Sequence, residues 1–429
     1  MNYTYKNIWL INFPVMMSIL IEQLINITDA IFLGHVGEIE LGASALAGIW
    51  YLAIYMLGFG FSLGLQVVVA RRNGEQHYSE TGKTFFQGLF FLSGLAVFLC
   101  LLSKLFSPII LSRLITSAEV YHAVIDYLDG RIWGLLFSFP FLALRSFLVG
   151  ITRTKALNVA ALIAVLVNIP GNWLLIFHWN MGIAGAAIAS SFAEACSLAV
   201  LVIHVLRKMD KRLYGLSWSF DKAVLFHVCH VSVWSMFHSF ISVAPWFLFF
   251  VAIEHLGELQ LAVANILRSI STLFFVIVNS FAATTSSLVS NLIGADERRQ
   301  VFPLCSRVIR LGYAIGLPLI ALALVFHQAV VSVYTDNPAI VQTAWLPFVV
   351  MLLNYVFALP GYVYVNTVTG TGATRTAFIF QATTIVAYLL YLWGLSHWNV
   401  PLAVYWTVEY LFVIGLGVQS VIYLKYKHY

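Results

Sequence analysis

Long apolar stretches separated by short polar segments make up most of the chain. Twelve stretches reach the length of about 20 mostly apolar residues that a helix needs to cross a bilayer. They lie at 8–33, 44–70, 84–107, 124–147, 156–177, 182–206, 223–253, 260–290, 304–330, 340–368, 376–395 and 400–424. The longest hydrophilic connection runs from Arg207 to Lys222. This pattern predicts an all-α polytopic membrane protein with twelve transmembrane helices, and it leaves no stretch for a soluble domain.

Charged residues are scarce throughout the chain. Of its 429 residues, 23 are Lys or Arg and 18 are Asp or Glu, so 10% are charged and 61% are hydrophobic. A typical soluble domain has about 25% charged residues. The composition therefore excludes an ordinary cytosolic enzyme and a disordered protein.

Most basic residues fall on one side of the membrane in the predicted topology. If the N-terminus lies in the cytoplasm, 18 of the 23 Lys and Arg residues fall in cytoplasmic segments, and Lys104, Arg113 and Arg131 fall on the opposite side. Short cytoplasmic loops of membrane proteins carry an excess of Lys and Arg. The bias predicts that both termini are cytoplasmic. It also explains the net charge of +5 without a nucleic-acid partner.

Several segments recur about 220 residues apart. Gly150–Lys155 resembles Gly370–Thr376, and His178–Asn180 resembles His397–Asn399. Such repeats in the same order predict two six-helix lobes, related by a pseudo-two-fold axis along the membrane normal as in parallel-repeat transporters. The predicted divisions are an N-lobe at 1–206, a cytoplasmic linker at 207–222 and a C-lobe at 223–429.

Ionisable side chains inside spans are costly and usually functional. The first span carries Glu22, Asn26 and Asp29 at positions i, i+4 and i+7, which share one helix face. Asp29 is the strongest functional candidate among them. The alternative is hydrogen bonding between helices, which needs no ion.

The fifth span contains Asn168 and Asn172 on one face, with Pro170 between them. Proline removes a helical hydrogen bond and so frees a backbone carbonyl. Amide, carbonyl and carboxylate oxygens suit a small hard cation better than a transition metal. A proline kink stabilised by the two amides is an equally good explanation. In the sixth span Ser190 offers a hydroxyl, and Glu194 lies one turn further along.

The sequence contains no HExxH, GxSxG, Walker A or GxGxxG motif. We therefore expect no enzyme activity and no organic cofactor, and any active transport would draw on an ion gradient or on a partner ATPase. A membrane-embedded enzyme or receptor would need clustered His, Asp and Glu near one interface. His227 and His230 lie three residues apart without an acidic cluster. An ion channel would need a filter-like repeat, which is not visible.

At this level of detail the sequence resembles the multidrug and toxic compound extrusion (MATE) transporters over essentially its whole length. The resemblance is carried by segments 29–37, 41–47, 69–74, 167–173, 182–189 and 370–375. Asn172 makes the chain more similar to the NorM-type branch than to the DinF-type branch, which tends to have Asp there.

The resemblance implies a cation-coupled antiporter of the bacterial inner (plasma) membrane. It would export organic, often cationic and amphipathic compounds by alternating access, in exchange for Na⁺ or H⁺, and would function as a monomer. The family's N-lobe cation site carries over to Asp29, Asn168, Asn172 and Ser190. Asp29, Asn168 and Asn172 would ligate Na⁺ if coupling uses sodium. Glu22, Asn26 and Glu194 are possible auxiliary polar residues.

The chain departs from the NorM-type pattern in its second half. Relatives of that type usually place Glu in helix seven and Asp in helix ten as a C-lobe cation site. Here helix seven offers only Ser242 or His238, and helix ten has Asn354 and Pro360 but no acid. The sequence therefore gives no support for a C-lobe cation site. The runner-up function is a flippase for lipid-linked precursors, which twelve spans and few buried basic residues disfavour.

Overall fold

The computed structural model of the chain describes residues 3–115, 117–254, 256–334, 337–398 and 400–427. Within these residues every regular element is a helix, and twelve helical segments are long and apolar enough to cross a membrane. The prediction of an all-α membrane protein with twelve transmembrane helices is confirmed.

Seventeen α-helices follow one another along the described residues. They are α1 Tyr5–Gly34, α2 Glu38–Gly74, α3 Tyr78–Leu114, α4 Ala118–Arg131, α5 Leu135–Gly150, α6 Lys155–Asn172, α7 Gly182–Lys208, α8 Lys222–Ile241, α9 Val243–Glu254, α10 Glu258–Gly294, α11 Val301–Val325, α12 His327–Ser332, α13 Pro338–Leu353, α14 Tyr355–Gly370, α15 Thr374–His397, α16 Leu402–Tyr405 and α17 Thr407–Tyr426. Short 3₁₀ turns lie at Ile132–Gly134 and Arg298–Gln300, and a π-helical turn lies at Trp173–His178.

Several spans combine two helical segments. The fourth span, Ala118–Gly150, joins α4 and α5 through a 3₁₀ turn, and the tenth, Pro338–Gly370, joins α13 and α14. Many helices are longer than the apolar stretches that predict them: the stretch 44–70 corresponds to α2, which continues to Gly74. Helices continue past the apolar stretch because polar residues such as Arg71 and Arg72 are good helix formers.

The chain divides into two compact units. The N-terminal unit is Phe13–Met236, and the C-terminal unit combines the chain up to Asn12 with the chain from Phe237 onward. The lobe boundaries at 206 and 223 derive from the sequence repeat, and they stay a prediction. The compact units place the start of α1 with the C-terminal unit and the first part of α8 with the N-terminal unit.

An apolar core fills the N-terminal unit between α2, α3 and α5. Phe61 and Phe139 are fully buried there, and the ring of Phe61 stacks on Phe91 at 4.2 Å between centroids. Gly58 lies against the ring of Phe139, where an added Cβ would come within 2.5 Å. Small residues let membrane helices pack closely, and the resulting scaffold also supports α4 and α7.

In the C-terminal unit, α14 packs against both α10 and α17. Asn12 at the start of α1 is fully buried against α10: its Nδ2 donates to Ser280 Oγ at 3.4 Å, and Thr284 Oγ1 donates to its Oδ1 at 2.9 Å. These hydrogen bonds explain why the first residues of α1 belong to the C-terminal unit.

The α14–α17 contact depends on a glycine. A Cβ on Gly361 would lie 2.4 Å from the carbonyl oxygen of Val413, which is backbone and cannot move aside. We expect Gly361→Ala to cost about 1–3 kcal/mol of stability through overpacking, seen as a lower Tm of the purified protein in detergent. Gly394→Ala is the matched control, because a Cβ at Gly394 meets nothing within 4 Å. Equal Tm values for the two variants would contradict the close contact.

Candidate functional site

Four polar side chains from three helices meet inside the N-terminal unit. Asp29 comes from α1, Asn168 and Asn172 from α6, and Ser190 from α7. All four are buried: Asn168 and Asn172 are fully buried, and Asp29 retains 7% of its exposure. The structure thus brings together the four residues that the sequence selected as a cation site.

Both oxygens of the Asp29 carboxylate accept hydrogen bonds from neutral groups. Asn168 Nδ2 and Asn172 Nδ2 donate to Oδ1 at 3.1 and 2.6 Å, and the Ser190 hydroxyl donates to Oδ2 at 2.5 Å. Asn168 Nδ2 also donates to Ser190 Oγ at 3.0 Å, and Asn172 Nδ2 donates to Asn168 Oδ1 at 3.2 Å. The hydrogen bonds to this carboxylate therefore come from neutral side chains.

One amide oxygen of this cluster is available to a ligand. Asn172 Oδ1 is buried and accepts no hydrogen bond within the described part of the chain. A half-turn of an Asn side-chain amide exchanges its nitrogen and its oxygen. The same side chains can therefore present donors to a bare carboxylate or oxygens to a cation beside it.

A local distortion of the fifth span positions the two asparagines. Pro170 lies between them in α6, and the helix widens after Asn172 into the π-helical turn Trp173–His178. Such π turns occur frequently at functional sites. Gly185 lets α7 approach this turn, because a Cβ there would lie 2.9 Å from the backbone of Leu175. The close approach brings Ser190 to Asp29.

A partly buried ion pair lies one helical turn from Ser190. Arg131 Nη2 donates to Glu194 Oε1 at 2.6 Å, and the two side chains are 11% and 24% exposed. The Arg131 guanidinium also lies over the ring of Tyr51, with its Cζ 4.1 Å from the ring centroid. The charge distribution assigns Arg131 to the side opposite the cytoplasm, and the structure corrects this: Arg131 lies within the fourth span, Ala118–Gly150, as it does within the apolar stretch 124–147.

The auxiliary residues have different surroundings. Glu194 pairs with Arg131. Among the described residues, the side chains that donate hydrogen bonds to the Asp29 carboxylate are Asn168, Asn172 and Ser190, so Glu194 is not in direct contact with it through a hydrogen bond. Asn26 is exposed, so it does not share the buried position of Asp29. Glu22 lies in α1, and its side chain is outside the part of the chain that the structure describes.

The C-terminal unit contains an acid that sequence analysis did not connect with a site. Glu409 of α17 accepts a hydrogen bond from the buried Tyr388 hydroxyl at 3.0 Å. It lines a cavity together with Asn354, the residue between α13 and α14. The sequence contains one signal, an acid within the last span, but the resemblance directs the search for the acids of a C-lobe cation site to the seventh and tenth spans.

Comparisons with known proteins agree over most of the chain. The sequence model of the MatE family matches residues 14–174 and 235–392. The probable multidrug resistance protein NorM of Photorhabdus laumondii is 24% identical over 82% of this chain and 77% of its own length. The multidrug resistance protein NorM of Vibrio cholerae is 23% identical over 77% of this chain and 74% of its own.

Solved structures share the fold. A multidrug resistance MATE family transporter of the MOP superfamily, in its outward-facing conformation, superposes with a TM-score of 0.91 at 18% identity, covering 99% of this chain and 95% of that one. A MOP superfamily transporter from Pyrococcus furiosus superposes with a TM-score of 0.89 at 19% identity, with the same coverage.

Proposed function

The chain belongs to the MatE family of multidrug efflux transporters, and on this premise we propose that it exports organic, often cationic and amphipathic compounds in exchange for Na⁺ or H⁺. The buried Asp29 carboxylate, hydrogen-bonded only to neutral donors, is the observation that carries the proposal. A bare charge at this depth is expensive. A cation or a proton that neutralises it therefore gains free energy at the site.

The residues around Asp29 fit either coupling ion. Protonation would turn the carboxylate into a donor as well as an acceptor. Na⁺ would be held by the carboxylate together with the amide oxygens of Asn168 and Asn172 and the hydroxyl of Ser190. Hard cations prefer such oxygen ligands.

Ion binding at Asp29 would drive transport through a population shift. A ligand moves an equilibrium between two conformations only by binding one of them better. If the coupling ion binds better to one conformation and the substrate binds better to the other, binding of each ligand weakens binding of the other, because coupling free energies are reciprocal. Aromatic side chains would hold a cationic substrate by cation–π contacts.

We also propose a bacterial inner-membrane location with both termini in the cytoplasm and a functional monomer. The distribution of basic residues, 18 of 23 on one side in the predicted topology, supports this orientation.

Purified protein in liposomes provides the test. Vesicles loaded with ethidium or norfloxacin would be given an inward Na⁺ gradient in one experiment and an H⁺ gradient in another. We expect one of the two gradients to accelerate efflux at least tenfold over a sample without a gradient. Equal efflux rates in all samples would contradict antiport. Movement of a fluorescent lipid instead of the drugs would favour the flippase alternative.

A smaller effect is expected at Ser190. Ser190→Ala removes one donor to the carboxylate and one possible ligand of the ion, while Asn168 and Asn172 remain. We expect a several-fold rise in the coupling-ion concentration at half-maximal efflux, with little change in the maximal rate. Ser197→Ala is the matched control, because Ser197 lies on the same helix and donates to Ala160 O instead of Asp29. The same rise in both variants would refute a specific role for Ser190.

A further inference from the structure

A small cavity lies inside the C-terminal unit, between α9, α10, α13, α14 and α17. Its volume is about 40 Å³, and a single water needs about 10–15 Å³. It therefore accommodates a head group rather than a whole drug-sized molecule. Aromatic residues form one part of its wall, namely Trp246, Phe274, Phe275, Tyr355 and Trp406, and aliphatic residues form most of the remainder.

A carboxylate and an amide face this aromatic wall. Glu409 Oε1 accepts from Tyr388, and no hydrogen bond among the described residues engages Oε2. Asn354 is 9% exposed, and its Oδ1 is buried without a hydrogen-bond partner in that same part of the chain. A buried polar atom left unpaired costs free energy. Both groups therefore favour a ligand that is positively charged and carries a hydrogen-bond donor.

We propose that this cavity binds the head group of a protonated amine, an assignment that rests on the proposed export of organic cations. The Glu409 carboxylate supplies the opposite charge. Asn354 Oδ1 accepts a hydrogen bond from an N–H of the ammonium group. The aromatic faces of Trp246 and Trp406 stabilise the cation through their negative π faces. Tyr388 acts as a positioning residue that holds the carboxylate.

The composition of the cavity wall favours an organic ammonium group over an inorganic cation. Hard metal ions in proteins take about six or more oxygen ligands. The cavity offers the oxygens of Glu409 and Asn354 and the hydroxyl of Ser271, whose hydrogen is already donated to Arg268 O. Carbon atoms of aromatic and aliphatic side chains occupy the positions where a metal ion would need further oxygen ligands. Such a wall suits an ammonium group that donates its hydrogens to Glu409 and Asn354 and contacts aromatic rings on its remaining sides.

Titration calorimetry on the purified protein tests the ligand class with three matched probes. Benzylammonium carries charge and N–H donors, benzyltrimethylammonium carries charge without donors, and benzyl alcohol carries no charge. We expect saturable binding of benzylammonium, at least tenfold weaker binding of the quaternary ion, and no saturable binding of the alcohol. Equal binding of all three probes would overturn the proposal.

Substitutions locate the site. Glu409→Gln should weaken benzylammonium binding at least tenfold, and Asn354→Leu should reduce it to the level of the quaternary ion. Tyr388→Phe keeps the charge and removes only its hydrogen bond, so it should cost no more than a few-fold. Unchanged binding in Glu409→Gln, or binding of Na⁺ in place of the amine, would refute the inference.

The proposed transport function has a separate readout. Asp29→Asn should bind benzylammonium as the unsubstituted protein does, because Asp29 lies in the other unit. If Asp29→Asn abolished amine binding and Glu409→Gln did not, the amine site would be at Asp29 and the inference would fail. Efflux by the unsubstituted protein under an ion gradient would still support antiport in that case.

Discussion

Asp29→Asn is expected to abolish gradient-driven efflux, with at least a tenfold fall in the initial rate from loaded vesicles. Asparagine has almost the shape of aspartate but carries no charge and cannot bind or release a proton at neutral pH. The site would then stay neutral whether or not the coupling ion is present. An ion that binds both conformations equally well shifts no equilibrium between them. The ion gradient would therefore no longer drive the conformational change of the protein.

The fold should survive this change. The introduced amide can still accept a hydrogen bond at its oxygen, and the Ser190 hydroxyl can rotate to accept one from the new amide nitrogen. Removing a buried charge also relieves a desolvation cost. We therefore expect an unchanged or raised Tm in detergent, and substrate exchange across vesicles without a gradient should persist.

The control for Asp29→Asn is the same chemical change at an exposed acid. Asp129 of α4 pairs with Lys104 at 2.8 Å, and its side chain is 58% exposed. Asp129→Asn should export at the normal rate. Full gradient-driven efflux by Asp29→Asn would show that the carboxylate is not the coupling group.

The cluster at Asp29 could be predicted from the sequence because helix geometry is local. Asn168 and Asn172 lie four residues apart and must share a face, and an acid deep in a span must point inward. The close approach of α7 also follows from local composition, since Gly185 begins a run of small residues. The sequence thus supplied each residue, and the family resemblance supplied their grouping.

Pairings between distant helices could not be predicted in the same way. Arg131 and Glu194 are 63 residues apart, and nothing local states which faces of α4 and α7 meet. Glu409 and Asn354 present the same difficulty, because the acid that shares a cavity with Asn354 comes from the last span instead of the seventh or tenth span. The burial of Asn12 against α10 likewise depends on tertiary packing, which periodicity does not encode.

The ion pair of Arg131 and Glu194 leads to the second large effect, on stability. Arg131→Met leaves the partly buried Glu194 carboxylate without its counter-charge, and Glu194→Leu leaves the guanidinium without its own. Loss of one partner of a fully buried pair costs about 3–5 kcal/mol, and this partly buried pair, with side chains 11% and 24% exposed, should fall at or below the lower end of that range. We expect each single variant to unfold in detergent with a Tm well below that of the unsubstituted protein.

The double variant Arg131→Met with Glu194→Leu should regain much of that loss. Replacement of a whole buried pair by apolar side chains is often neutral in stability, and the introduced methionine would still pack on the ring of Tyr51. An exposed pair provides the comparison: Lys104→Met, which breaks the contact with Asp129, should cost at most about 1 kcal/mol. A double variant as unstable as the worse single one would mean that packing, rather than charge compensation, dominates at this position. Rescue would instead show that charge compensation between Arg131 and Glu194 dominates the stability at this position.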